Sequence, residues 1–192
     1  MTREYAIGDG LPTAHQRRPE YIRDDAWIRE FLRVGQIAHI ATRWDDQLFV
    51  TPTNYYFDET GHRLIFHSNI TGRLRANIQK HPRLCVEVSE TGKLLPSNVA
   101  LEFSLQYRSA VVFGTAEIIE DADEQARVMH LLIAKYFDQL QVGKDYRPAT
   151  EKELRRTTVY ALNIESWSGK QNWKERADQS DEWPALEAKW FE

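Results

Sequence analysis

The stretch LIFHSNITGRLRANIQKHPR, residues 64–83, decides how the rest of the chain is read. It opens as a short strand, Leu64-Ile65-Phe66-His67, and turns through Ser68-Asn69. From about Thr71 it becomes a helix that carries Arg73 and Arg75 in its first turns. Pro82 marks the stop, because proline disfavours helical backbone in the residue before it. A strand that feeds a helix through small polar residues leaves the first helical N–H groups unpaired at the positive end of the helix dipole, which favours an anion. Gly72 lets a ligand approach the backbone, Ser68 and Thr71 offer hydroxyls, and Arg73 offers a planar fork. Two readings stand side by side: a cradle for one phosphomonoester, or an ordinary strand–helix corner with two solvated arginines.

Upstream, residues 48–57 follow the Asp45-Asp46-Gln47 turn and read as one strand, with Phe49, Thr51, Thr53, Tyr55 and Phe57 on one face. Pro52 lies within it. Proline cannot donate to a ladder, so it belongs at an edge, at a bulge, or where backbone turns toward a ligand. The run Val50-Thr51-Pro52-Thr53-Asn54 is therefore a second candidate contact, with an aggregation-blocking edge proline as the alternative. Further back, residues 36–43 read as a strand. Asp24 caps a helix whose stripe of Trp27, Ile28, Phe31 and Leu32 stops at Gly35. Residues 1–20, broken by Gly8, Gly10, Pro12 and Pro19, read as an irregular arm.

Downstream, residues 83–89 form a strand and Thr91-Gly92-Lys93 begins a loop through Pro96. Residues 101–119 then form a long extended segment. Phe103, Leu105, Tyr107, Val111 and Phe113 share one face; Ala110, Val112, Ala116 and Ile118 share the other. Apolar residues on both faces predict burial on both sides, as in a barrel wall that also meets a partner chain. Gly114 marks a bulge or bend. Asp121 and Glu124 open a helix with Val128, Leu131, Leu132 and Tyr136 on its buried stripe, and Thr150 and Glu153 form a second capping box. Residues 157–166 are the last strand. Residues 167–192 hold four of the six tryptophans, too aromatic for a free tail, and are expected to pack on the body or on a partner subunit. Short turns between most strands give a mainly β (α+β) architecture: a small barrel over residues 21–166 with peripheral helices.

At 192 residues this is one domain, long enough to bury roughly 70% of its extended surface. A net charge of −4 argues against a nucleic-acid partner. The opening MTREYAIGDG has no apolar signal core and no run is long enough to span a bilayer, so no membrane association and a cytoplasmic location are expected. The single cysteine, Cys85, excludes an internal disulfide and a thiolate zinc cluster. No H-E-x-x-H, G-x-S-x-G or Walker-type loop occurs, and no metal site is expected. His67 either stacks on or hydrogen-bonds a ligand ring, or is a satisfied structural histidine; His130 reads as a surface or packing residue.

Three segments in order, FVTPTNYYFD at 49–58, FHSNITGRLRANIQKHPR at 66–83 and YRSAVVFGTAEII at 107–119, followed by WSGKQNW at 167–173, carry a resemblance. The chain resembles the FMN-binding split β-barrel family of pyridoxamine 5′-phosphate oxidase-like proteins, in the branch that includes the nitroimidazole-resistance flavoproteins. The resemblance implies FMN, with its phosphate held by Ser68, Gly72, Arg73 and the backbone of Leu74. It implies a ring lined by Thr51, Pro52, Thr53 and Asn54, and His67 beside the ring or ribityl chain as the one catalytic candidate. It also implies a homodimer whose flavin site lies between subunits, with Ser109 near the flavin and Trp167 over the cofactor from the second chain. An oxidoreductase passing electrons from a reduced nicotinamide to a small acceptor is the implied activity. A non-catalytic flavin reservoir or sensor, or the same barrel holding haem or a deazaflavin, are the alternatives. The family's vitamin B6 oxidases hold substrate phosphate with an R-x-H, whose places here are taken by Trp173 and Glu175. A carboxylate there repels a phosphate and argues against that activity.

Overall fold

The computed structural model describes residue 16 and residues 18–191. The arm expected over residues 1–20 therefore lies largely outside the described residues. After a short 3-10 turn come β1 (Ile22–Arg23), α1 (Asp25–Val34), β2 (Ala38–Trp44), β3 (Gln47–Thr53), β4 (Tyr56–Asp58) and β5 (Arg63–Asn69). They are followed by α2 (Arg73–Lys80), β6 (Arg83–Leu95), β7 (Ser104–Ile118), α3 (Ala122–Tyr136), α4 (Glu151–Leu154) and β8 (Thr157–Asn172). All strand pairs are antiparallel, in the order β3-β2-β6-β7-β8-β5-β4, with β1 added to β8.

β3 and β4 are the two ends of that order, yet only Asn54 and Tyr55 separate them in the chain. The sheet must therefore curl until its edges meet, which makes a split barrel. The single strand expected over residues 48–57 is broken here, for a non-local reason. The Tyr55 backbone N–H donates to the Tyr136 hydroxyl at 3.0 Å, and that hydroxyl's single proton is shared between the Gln36 carbonyl at 2.7 Å and the Tyr55 carbonyl at 3.1 Å. The fully buried Tyr55 side chain donates to the Leu32 carbonyl at 2.7 Å. α1 closes one end of the barrel. Asp24 Oδ1 accepts from Trp27 N at 2.9 Å, a cap worth about 1 kcal/mol. Ile28, Phe31 and Leu32 are buried in the barrel core. Gly35 ends α1 through packing rather than a left-handed turn: its φ is −57°, and a Cβ would stand 2.6 Å from Val88 Cγ1.

Inside the barrel Ile40, Phe66, Val86, Val112, Tyr160 and Leu162 form the core. On the outside of β5 and β8, Ile65, Val159 and Ala161 are covered by α3 through Val128, with Ile119 beside them. Two elements exceed their expected limits and a third falls short of them. β6 continues through Thr91-Gly92-Lys93 with a register shift, because the Gln106 side chain accepts from Lys93 N at 3.1 Å and holds that stretch in the ladder. β8 runs past Ser166 to Asn172, since β7 stays paired to it as far as Tyr107. β7 begins only at Ser104, leaving Leu101 and Phe103 exposed. The bulge expected at Gly114 is present as a register shift against β8. The tail docks on the β6–β7 connection of its own chain: Asn98 Nδ2 donates to the Ser180 carbonyl at 2.8 Å and Ser97 Oγ to the Asp178 carbonyl at 2.7 Å. Its Trp183 and Trp190 stay exposed. Among the described residues no helix is long and apolar enough to cross a membrane.

Candidate functional site

β5 delivers Ser68 on the same face as Phe66, two register steps from Tyr160, whose ring stacks on Phe66 with centroids 5.0 Å apart. Ser68 Oγ lies 3.0 Å from the Tyr160 hydroxyl and also donates to the Asn69 carbonyl. Burial raises the pKa of the Tyr160 phenol, while hydrogen bonds from Ser68 and Thr158 pull it back. Asn69 Oδ1 then accepts from Thr71 N at 3.1 Å and from its hydroxyl at 3.3 Å, which steers the chain into Gly72. At φ 141° and ψ 171°, Gly72 adopts a backbone that residues with a Cβ avoid, and the space over its Cα is open to 4 Å.

α2 begins here with no side-chain cap. Its first hydrogen bond runs from Ala76 N to the Gly72 carbonyl at 3.1 Å, so the N–H groups of Arg73, Leu74 and Arg75 have no intrahelical acceptor. Leu74 is buried and anchors the turn to the core together with Ile78. Asn77, fully buried, donates to Thr42 Oγ1 at 2.9 Å and fixes α2 across β2. Arg73 is exposed, and its guanidinium lies 5.0 Å from the Phe49 ring centroid and 5.9 Å from that of Trp44. The first turn of α2 thus sits against β3.

That contact brings the two candidate segments together. β4 and β5 pair through Tyr56↔Ile65. Two and three further steps of the same register would set Asn54 opposite His67 and Thr53 opposite Ser68, but the pairing ends at Tyr56. The strands fork there, and the backbone of residues 51–54 parts from that of residues 67–69. β3 is a sheet edge with one partner, β2, opposite which Pro52 is level with His39, and an edge strand is where a sheet tolerates a proline. Thr51, Thr53 and Asn54 are half-buried along this edge.

Three expected residues are placed elsewhere. His67 alternates with Ser68 and so faces the α3 side with Ile65 and Val159. Its Nδ1 is buried with no hydrogen-bond partner among the described residues, and burial lowers its pKa. Ser109 lies on the outer face of β7, level with Ser89 and Lys170. Ser68 is level with Thr158, so on β8 the two serines are separated by twelve residues, roughly 40 Å of strand. Trp167 is held by α1: Nε1 donates to Asp25 Oδ1 at 2.8 Å, Arg29 lies 5.0 Å over its ring, and His62 packs edge-on at 4.8 Å. One chain therefore unites Thr51–Asn54 with Ser68–Leu74 and leaves Ser109 and Trp167 apart from them. Sequence reasoning missed Tyr160, although a tyrosine on the buried face of a strand needs a partner for its hydroxyl and so points to one. It also missed the seat that Trp44 and Phe49 make for Arg73. Among the described residues no cluster of metal-ligating side chains occurs.

An antiparallel sheet curled until its edges fork, with an uncapped helix start lodged in the fork, defines a split β-barrel protein. The family model described as pyridoxamine 5′-phosphate oxidase matches residues 24–171, and the chain belongs to that family. Among solved structures, the flavocytochrome Anf3 from Azotobacter vinelandii is 26% identical, with a TM-score of 0.75 over 88% of this chain and 77% of that one. The FAD and haem binding protein from Mycobacterium smegmatis is 24% identical, with a TM-score of 0.71 over 83% of this chain and 76% of that one. A Bacteroides thetaiotaomicron structure described as a 5-nitroimidazole antibiotic resistance protein is 20% identical, with a TM-score of 0.65 over 79% of this chain and 86% of that one. The last two likenesses show the fold alone. None of the curated proteins compared by sequence matches this chain.

Proposed function

We propose that the fork holds the phosphate end of FMN and that the protein is a homodimeric flavin-dependent oxidoreductase, taking electrons from a reduced nicotinamide and passing them to a small acceptor. The observation that carries this reading is the first turn of α2. Three N–H groups without intrahelical acceptors, an open Gly72 and a guanidinium that has no carboxylate partner among the described residues converge beside a sheet edge. This donor set fits a phosphomonoester in charge and in hydrogen-bonding capacity. Ser68 adds a hydroxyl whose position is fixed by Tyr160. The parted backbones of Thr51–Asn54 and His67 would hold and orient the ring system. The flavin, when bound, supplies the electron-transfer chemistry, and the chain binds, orients and shields it.

The placement of Ser109 favours the dimer. Ser109 can meet the fork only from a second chain, and the β7 face it sits on carries half-buried Tyr107, Val111 and Phe113 beside half-buried Cys85. The exposed Val50 and Leu48 of β3 extend the apolar character of the same sheet. A second reading, a barrel that holds a flavin together with haem, is favoured by the 26% identity to a flavocytochrome. The visible spectrum of the purified protein, with mass spectrometry of the released molecule, separates the two. A flavin band and FMN mass are expected; a Soret band beside the flavin band supports the second. Anaerobic bleaching by NADH or NADPH, followed by reoxidation by an acceptor, is expected of the enzyme. A flavin that neither donor reduces leaves a reservoir or sensor instead.

A further inference from the structure

Beside the fork, on the far side of the β5–α2 corner, a cavity of about 420 Å³ opens between α2, the start of α3 and α4. That is the size of a small-ligand cleft. Its wall is apolar: Ile70, Ile118, Ile119 and Leu154, with Ala122 at the first residue of α3. One cation reaches in from α2. Arg75 is half-buried, and its Nη1 donates to Thr158 Oγ1 at 2.7 Å. That hydroxyl fixes the guanidinium and leaves its charge uncompensated, since among the described residues no carboxylate pairs with it. The positive end of the α3 dipole at Ala122 is offset by its Asp121 cap and by Asp123 and Glu124 in the first turn, so Arg75 is the cation that decides the site. Two carboxylates also line the cavity: Glu151, already paired with Arg155 at 3.1 Å, and exposed Glu120. They offset one positive charge at the rim and disfavour a dianion.

We infer that this cavity is a second ligand site, for a small monoanion with an aliphatic body, typified by a medium-chain carboxylate: the carboxylate on Arg75, the chain against Ile118, Ile119 and Leu154. Neither Arg73 nor Gly72, on which the flavin reading rests, lines this cavity, although Thr158, which holds Arg75, is level with Ser68 and hydrogen-bonds Tyr160.

The test is calorimetric titration of the full chain with hexanoate, hexanol and hexylammonium. Hexanoate is expected to bind once per chain and at least about tenfold more tightly than the other two, the discrimination of one charged hydrogen bond. Arg75→Gln should weaken hexanoate by a similar factor. Arg73→Gln should leave it unchanged, and inorganic phosphate should not displace it. Ala122→Phe fills the cavity from α3 without touching Arg75 and should also remove binding, so the inference stays testable if Arg75→Gln does not fold. Equal binding of hexanol and hexanoate, loss of hexanoate in Arg73→Gln, or wild-type binding in Ala122→Phe would each overturn it.

Discussion

Arg73→Gln separates the phosphate cradle from every other source of flavin affinity. In the free protein Arg73 is exposed, and its guanidinium lies over the rings of Phe49 and Trp44, at 5.0 and 5.9 Å from their centroids. Such contacts at exposed sites are worth about 0.5–1 kcal/mol, so the substitution should cost little stability. Against a bound phosphate the same guanidinium makes charge-assisted hydrogen bonds of about 1.5–3 kcal/mol. FMN affinity should therefore fall by about 10- to 150-fold. The assay is flavin fluorescence quenching, run in parallel with riboflavin, which lacks the phosphate. Wild-type protein is expected to prefer FMN; Arg73→Gln should bring FMN down toward riboflavin and leave riboflavin unmoved. Arg83→Gln serves as the control, since that side chain is 82% exposed and pairs with Glu165 in solvent. FMN binding that stays within twofold of wild type, or riboflavin that falls equally, refutes the assignment of the phosphate to this corner.

Tyr55→Phe removes the hydroxyl that satisfies the Leu32 carbonyl in the core and should cost about 1–3 kcal/mol in urea unfolding; a change of a few tenths means the fork is not held by that bond. Val111→Asp places a charge on the outer face of β7, and sedimentation should show a monomer that has lost its flavin; a flavin-loaded dimer rules out that face as the interface. Burial lowers the His67 pKa. As pH falls, the unfolded chain therefore takes up a proton there before the folded one does. The effect is absent well above about pH 6.5 and grows below it. His67→Leu should flatten the acid side of the stability–pH curve, in part only, because burial lowers His62 in the same sense. An acid limb identical to wild type assigns that loss to other groups.

The parts of the fold legible in the sequence are those set by neighbours in the chain. Asp24 caps Trp27, Thr150 and Glu153 close a capping box, and Gly114 marks the bulge, all from local chemistry. The cradle was legible for the same reason: strand, polar turn, glycine and arginine are consecutive. The break at Tyr55 was not, because Thr53, Tyr55 and Phe57 keep a perfect alternation through it. What breaks the strand is a hydroxyl 81 residues away. The T-G-K run of β6 has turn chemistry, yet Gln106 keeps it in the sheet. Trp167 is claimed by Asp25 and Arg29 of α1, a contact 142 residues apart to which no local pattern points.

The two-residue joint between β3 and β4 has a kinetic consequence. Residues that are neighbours in the chain occupy opposite ends of the strand order, so this seam can close only after β2, β6, β7, β8 and β5 have assembled between them. What closes last, with no ladder bonds across it, opens first. Backbone amides around residues 53 and 68 therefore belong to the least protected part of the barrel in hydrogen exchange, and any molecule lodged there acts as the missing rung that shuts it.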